Sequence, residues 1–172
     1  MIWANHRLVT GALVFAMTGD VIASGMSVMG STFPDSIEGH DYASETYNKS
    51  HRRSSHWFVP YLCASLTLWA LALLPFIFAT KPVLGFPLPF TLLKSGAWDR
   101  AIVAGLGFIP VGCLCHILED SICGYVPLWH PRKKVFGHRW FKVRSPQENA
   151  FALIVSFLLV FLRAGYFLAK MK

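Results

Sequence analysis

The charge-free run from Trp57 to Thr80 constrains this chain most. Over 24 residues it contains no Asp, Glu, Lys or Arg. As an α-helix it is about 36 Å long, more than the roughly 30 Å hydrocarbon core of a bilayer requires. Lipid cannot hydrogen-bond a backbone, so a run of this kind satisfies its own polar groups as a helix. Asn149 to Ala169 repeats the pattern with Arg163 as its only charge, and Ala101 to Leu118 repeats it at the lower limit of length. With 54% hydrophobic and 15% aromatic residues and a mean hydropathy of +0.46, the 172 residues are too apolar for an ordinary soluble domain. The expectation is one all-α domain, 1–172, a polytopic membrane helical bundle of about four transmembrane or membrane-embedded segments.

The first apolar region, Leu8 to Gly30, is interrupted by Asp20 and diluted by Gly11, Gly19 and Gly25. As one straight helix it would set His6 and Asp35 about 44 Å apart on opposite membrane faces. A break at Gly19 and Asp20 would instead make a helical hairpin and return both to one side. Asp20 and Arg163 are intramembrane charges, which usually find partners, and they are expected to pair. No small-residue cleavage pattern follows a basic start, so a removable secretory signal is not expected.

Ionisable side chains gather in two places. The helix that runs through Ala101 ends in Cys113-Leu114-Cys115-His116-Ile117-Leu118-Glu119-Asp120-Ser121-Ile122-Cys123. There His116 and Asp120 are one turn apart and share a face. Imidazole nitrogen with carboxylate oxygen suits zinc and its neighbours, but a metal site needs further ligands. Cys123 continues the same face. Cys63, Cys113 and Cys115 have no CxxC spacing and read as buried small hydrophobes. An unpartnered Asp near the hydrocarbon edge costs about 2.5–3.5 kcal/mol, so a salt bridge from Asp120 to Arg52 or Arg53 competes with the metal as its explanation. The second place is the polar loop Ser31 to Ser55, which with its far edge supplies Asp35, Glu38, His40, Asp41, His51 and His56. His51 and His56 would lie about 140° apart on one helix, so at most one uses a given face. Ser54 or Ser55 is expected to cap the helix that begins near Trp57.

Beyond the cluster, Val126-Pro127-Leu128-Trp129-His130-Pro131 reads as an extended exit, and Arg132 to Arg144 carries six Lys and Arg in thirteen residues. Counting the first region as crossing, the two polar loops share a face with nine basic residues against six opposite. That bias makes the site face cytoplasmic. Net charge +7 would attract anionic headgroups or a phosphate-bearing substrate. Phe136, Trp140 and Phe141 among the basic residues fit membrane-surface docking at least as well as nucleic acid.

Asn5-His6, Phe33-Pro34-Asp35, His51-Arg52-Arg53-Ser54-Ser55-His56, His116-Ile117-Leu118-Glu119-Asp120 and Val126-Pro127-Leu128-Trp129-His130-Pro131 occur in an order that resembles the YdjM-like family. Its members are bacterial inner-membrane proteins described as metal-dependent hydrolases. That family is in turn distantly similar to zinc-dependent phospholipase C and the single-strand nucleases, an analogy at the level of fold. The resemblance implies that His6, Asp35, His51, His56, His116 and Asp120 line one metal site, and it favours the hairpin for the first region. Glu38, Arg53, Cys123, His130 and Glu148 are additional candidates. Two departures stand out: Ile37 where relatives have a second acid, and His130 where relatives often have an apolar residue.

The expectation is therefore a membrane-bound hydrolase that uses a divalent metal, zinc before manganese or another ion, on a phosphoester such as a lipid headgroup. Asp35 would orient or deprotonate water, His51 would protonate the leaving oxygen and Arg52 would stabilise phosphoryl charge. The alternatives are a structural metal site, or a membrane-anchored partner for nucleic acid or protein.

Overall fold

The computed structural model describes residues 1–38, 52, 54–77 and 88–171. These are mostly helical. Helices α1 (Trp3–Thr18) and α2 (Val21–Gly30) lead into a short α3 (Phe33–Glu38), and a single 3-10 turn, Ser54–His56, precedes α4 (Phe58–Ile77). Then come α5 (Pro89–Lys94), α6 (Trp98–Leu106) and α7 (Phe108–Cys123). A small antiparallel ladder pairs β1 (Val126–Pro127) with β2 (Lys134–Phe136), and α8 (Pro146–Lys170) closes the described chain.

The first apolar region is a hairpin. Gly19 takes φ +67, a conformation that favours glycine, and Asp20 starts the next helix by accepting from the backbone N–H groups of Ile22 and Ala23, both at 2.9 Å. Its other oxygen accepts from Phe90 N at 2.7 Å, tying α5 to the hairpin. The expected Asp20–Arg163 pair is not what the structure builds. Arg163 donates from Nη2 to the carbonyl of Thr18 at 3.3 Å. The anion thus serves the N-terminus of α2 and the cation the C-terminus of α1, where the helix dipoles favour each. The hairpin returns His6 and Asp35 to one end of the bundle.

Close backbone approach positions α7 against α2. A Cβ on Gly112 would stand 1.9 Å from the carbonyl oxygen of Ser27, and one on Gly30 would stand 1.9 Å from that of Ile109. Small residues at a crossing allow this contact, which helices in lipid use in place of a hydrophobic driving force. The Ser27 hydroxyl donates to Phe108 O at 3.1 Å and Cys113 Sγ to Gly30 O at 3.3 Å. On the other side α8 runs beside α1 in the same direction, from Asn149 against Asn5 to Arg163 against Thr18. Val14, Ala23, Phe108 and Cys115 form the central core, with Trp69 of α4 edge-on to Phe108 at 5.3 Å.

Among the described residues, two helices are long and apolar enough to cross a membrane: Trp98–Cys123, in which α7 continues α6 through Gly107, and Pro146–Lys170. The described apolar part of α4, Phe58–Leu74, is shorter. Leu153, Ile154, Phe157, Leu158, Phe161 and Leu162 give α8 a large uncovered apolar face, each more than half exposed.

Candidate metal centre

Four side chains from three elements converge at the end of the bundle. Asp35 comes from α3, His56 from the 3-10 turn, and His116 and Asp120 from one face of α7. All are buried, and their ligand-type atoms lie within 4.8 Å of one another. His56 Nε2 is 3.2 Å from His116 Nε2, and each of these nitrogens is 3.4 Å from Asp35 Oδ1. Asp120 Oδ2 lies 3.4 Å from His56 Nε2 and 3.9 Å from His116 Nε2. Zinc ligands sit about 2.0–2.1 Å from the ion, so a regular tetrahedron of them has edges of about 3.3–3.4 Å. The donor set fits such an ion in both chemistry and spacing.

The outer contacts aim these donors inwards. His116 Nδ1 lies 2.6 Å from the carbonyl oxygen of Ser31, to which it donates, so Nε2 presents its lone pair to the cluster. His56 Nδ1 faces the Ser55 hydroxyl at 2.9 Å and Glu38 Oε1 at 3.4 Å. A carboxylate or carbonyl behind the far ring nitrogen is the usual way a metal-binding histidine is oriented. Asp35 Oδ2 accepts from Trp3 Nε1 at 3.0 Å, whereas its Oδ1 is a buried acceptor without a hydrogen-bond donor. A bound cation would satisfy that oxygen.

Charge is balanced around the centre. Burial alone would raise the Asp35 carboxyl, but the His116 and His56 rings facing it at 3.4 Å hold it well below the usual carboxylate range. Burial would likewise lower His56, and the carboxylates of Asp120, Asp35 and Glu38 outweigh it, pushing the imidazole up to about 10. Asp120 Oδ2 also meets Arg52 Nε at 2.7 Å, and its Oδ1 meets the amino group of Met1 at 2.5 Å. The salt bridge weighed as a competitor is therefore present, and it falls on the same Asp120 oxygen that faces His56 and His116. Arg52 adopts φ +60, a left-handed conformation that is strained for a side chain of this size. Its N–H donates to Glu38 Oε1 at 3.1 Å.

The remaining expected residues divide clearly. His6 stacks on His116 with ring centroids 3.8 Å apart and lies outside the four-ligand group. Its Nδ1 is 2.6 Å from Glu119 Oε2, and its Nε2 is 3.4 Å from Asp120 Oδ1. Glu38 stands behind His56, bonded to the Ser55 hydroxyl, so Ser55 is engaged there rather than as the expected helix cap. Glu148 accepts from Ile2 N at 2.6 Å, Asn5 Nδ2 at 2.9 Å and Arg144 N at 2.6 Å, and so anchors the start of α1. Cys123 is a buried free thiol outside the ligand group, and His130 is exposed, with its Nδ1 taking the N–H of Arg132. His51 and Arg53 lie outside the described residues.

Glu119 is the buried participant that sequence reasoning missed. It holds His6 on one oxygen and the Thr10 hydroxyl, at 2.9 Å, on the other. A second acid next to Asp120 in an apolar helix was the available signal, since such a group needs partners. The chain matches no protein-family profile, no curated protein and no solved structure.

Proposed function

We propose that this chain is a membrane-embedded metalloprotein acting as a metal-dependent hydrolase on a phosphoester presented at the bilayer surface. The observation that carries the metal is the pair of facing nitrogens, His56 Nε2 and His116 Nε2, 3.2 Å apart with Asp35 Oδ1 at 3.4 Å from both. Three acceptors so arranged repel one another unless a proton or a cation stands between them. The two long apolar helices and the uncovered face of α8 support membrane insertion as a bundle of about four spans. The basic loops support a cytoplasmic site face in a bacterial inner membrane, in line with the YdjM-like motifs.

Asp35, His56, His116 and Asp120 would hold the ion, with zinc the best match to two nitrogens and two oxygens. Bound there, the ion supplies Lewis-acid activation of water and neutralises phosphoryl charge. Arg52 brings a fixed positive charge to the same edge of the cluster, where it can bind a phosphoryl oxygen. The His6 and Glu119 pair holds a proton next to Asp120.

A second reading is a purely structural metal. It is favoured by one observation: four protein donors already complete a tetrahedral shell, whereas catalytic zinc keeps a position open. One experiment decides between them. The protein is purified in detergent, loaded with zinc or manganese, and examined by X-ray absorption for ligand count. In parallel it is assayed on bis(p-nitrophenyl) phosphate and on phosphatidylglycerol vesicles beside Arg52→Gln and Asp120→Ala. Turnover that Asp120→Ala abolishes and Arg52→Gln lowers supports the hydrolase. A closed four-ligand shell with no turnover in either metal replaces it with the structural site.

A further inference from the structure

Between α1, α2 and α8 runs an open groove of about 600 Å³, lined by Arg7, Gly11, Phe15, Ser156, Phe157 and Val160 among others. Its walls are mostly apolar, with three polar exceptions, of which Ser24 is already engaged, donating to Gly11 O at 2.8 Å. Arg7 is exposed at one end and has no carboxylate partner among the described residues. Ser156 is only 5% exposed, and its hydroxyl has no hydrogen-bond partner. A buried hydroxyl left unpaired is costly, more so in lipid, where water cannot stand in.

Helix geometry fixes how far apart these two groups lie along the groove. Because α1 and α8 run side by side from Asn5 against Asn149 to Thr18 against Arg163, Ser156 comes level with Gly11 and Ala12. That is about 6 Å, one helical turn, deeper than Arg7. A phospholipid presents the same sequence of groups from its headgroup inwards: an anionic phosphate, then acyl ester carbonyls, then hydrocarbon. We propose that this groove binds one anionic phospholipid, with Arg7 on the phosphate, the Ser156 hydroxyl donating to an ester carbonyl, and the acyl chain lying along Phe15, Phe157 and Val160.

The inference rests on the membrane reading above but not on hydrolysis. Arg7 and Ser156 are separate from the metal ligands, so a lipid held here is a bound component of the fold and not the substrate. Its phosphate end lies beside His6 in sequence, hence at the same end of the bundle as the metal centre.

Native mass spectrometry of the detergent-purified full chain, titrated with phosphatidylglycerol or phosphatidylcholine of identical acyl chains, tests it. Wild-type protein should retain one phosphatidylglycerol at about tenfold or more higher affinity than phosphatidylcholine, the range of a charge-assisted pair. Arg7→Gln should erase that preference. Ser156→Ala, which removes only the hydroxyl, should weaken both lipids by about three- to tenfold, because both carry the ester. A photoactivatable phosphatidylglycerol on wild-type protein should mark residues 8–15 and 153–160 above the outward face at Phe161 and Leu162, a readout that survives if a variant fails to fold. Equal affinity for the two lipids, or uniform labelling along α8, overturns the groove while leaving the membrane reading intact. Recovery of the protein without lipid in the soluble fraction overturns both.

Discussion

His116 donates from Nδ1 to the carbonyl of Ser31, at the C-terminal end of α2, across 2.6 Å. This one bond ties the candidate metal centre to the crossing of α2 and α7. A shift between the two helices changes where Nε2 points, which couples the packing of the crossing to the geometry of the site.

The first prediction concerns metal content. Protein purified without chelators should carry about one divalent transition ion per chain by elemental mass spectrometry. Asp35→Ala, His56→Ala, His116→Ala and Asp120→Ala should each lose it. His130→Ala should retain it, since that ring lies outside the cluster. Glu38→Gln, which alters only the support behind His56, should lower affinity by about 10–100-fold without abolishing binding. Equal metal in all six variants removes the assignment.

Much of this was legible in the residues themselves. The long helices Trp98–Cys123 and Pro146–Lys170 announce themselves through the runs Ala101–Leu118, free of Asp, Glu, Lys and Arg, and Asn149–Ala169, with Arg163 alone, and His116 and Asp120 by one-turn spacing. The break at Gly19 and Asp20 was one of two readings the residues left open, and the resemblance favoured it; the capping role of Asp20 appeared only in three dimensions. What local pattern does not encode is which end of which helix a buried charge will reach. Asp20 and Arg163 looked like mutual partners because both sit at membrane depth, yet each found nearer unsatisfied backbone groups. Backbone carbonyls such as Ser31 carry no sequence signal, so the orientation of His116 was visible only in three dimensions. The position of His6 beside the ligand group instead of in it depends on Glu119 and on ring stacking, which are likewise tertiary.

A second prediction follows from protonation. In metal-free protein the acids around His56 push its pKa up to about 10, so at neutral pH a proton occupies the ring and must leave when a metal binds. Apparent metal affinity should therefore rise by about tenfold per pH unit between roughly pH 7 and 9. The sign for folding is opposite. A group whose folded pKa is raised above its unfolded value, about 6.5 for His, contributes stability that is complete below that value. It is lost as pH climbs towards about 10, so metal-free protein should weaken over this window and metal-loaded protein should not. Asp35, held low, adds stability that fades only in acid, as pH falls below the ordinary carboxylate range. Metal titrations and thermal unfolding in detergent across pH 6 to 10 measure both trends.

A third prediction uses the break between α1 and α2. Asp20→Ala removes a cap worth about 1 kcal/mol and a further bond to Phe90 N, and should destabilise by about 1–3 kcal/mol. Asp20→Asn keeps an oxygen acceptor and should cost less. Gly19→Ala should be worse than its small size suggests, because it pairs φ +67 with a Cβ 1.8 Å from Arg163 Nη2. Unfolding midpoints in one detergent would rank the three, and an unaffected Asp20→Ala protein would show that the cap is dispensable.

The last prediction separates packing from chemistry at the helix crossing. A methyl group on Gly112 would meet the Ser27 carbonyl at 1.9 Å, and this is backbone, which cannot rotate away. Gly112→Ala should therefore cost about 1–3 kcal/mol or more, as overpacking does. Gly25→Ala on α2, where no atom lies within 4 Å, should be neutral or slightly stabilising through helix propensity. Because Gly112 is one turn before His116, and Ser27 one turn before Ser31, separating the backbones there lengthens the bond that holds His116 Nδ1. Gly112→Ala protein that still folds should then bind metal at least about tenfold more weakly although no ligand has been touched. Metal affinity measured beside the unfolding midpoint tests the coupling. A Gly112→Ala protein that is destabilised yet binds metal like wild type would show that the crossing supports the fold alone.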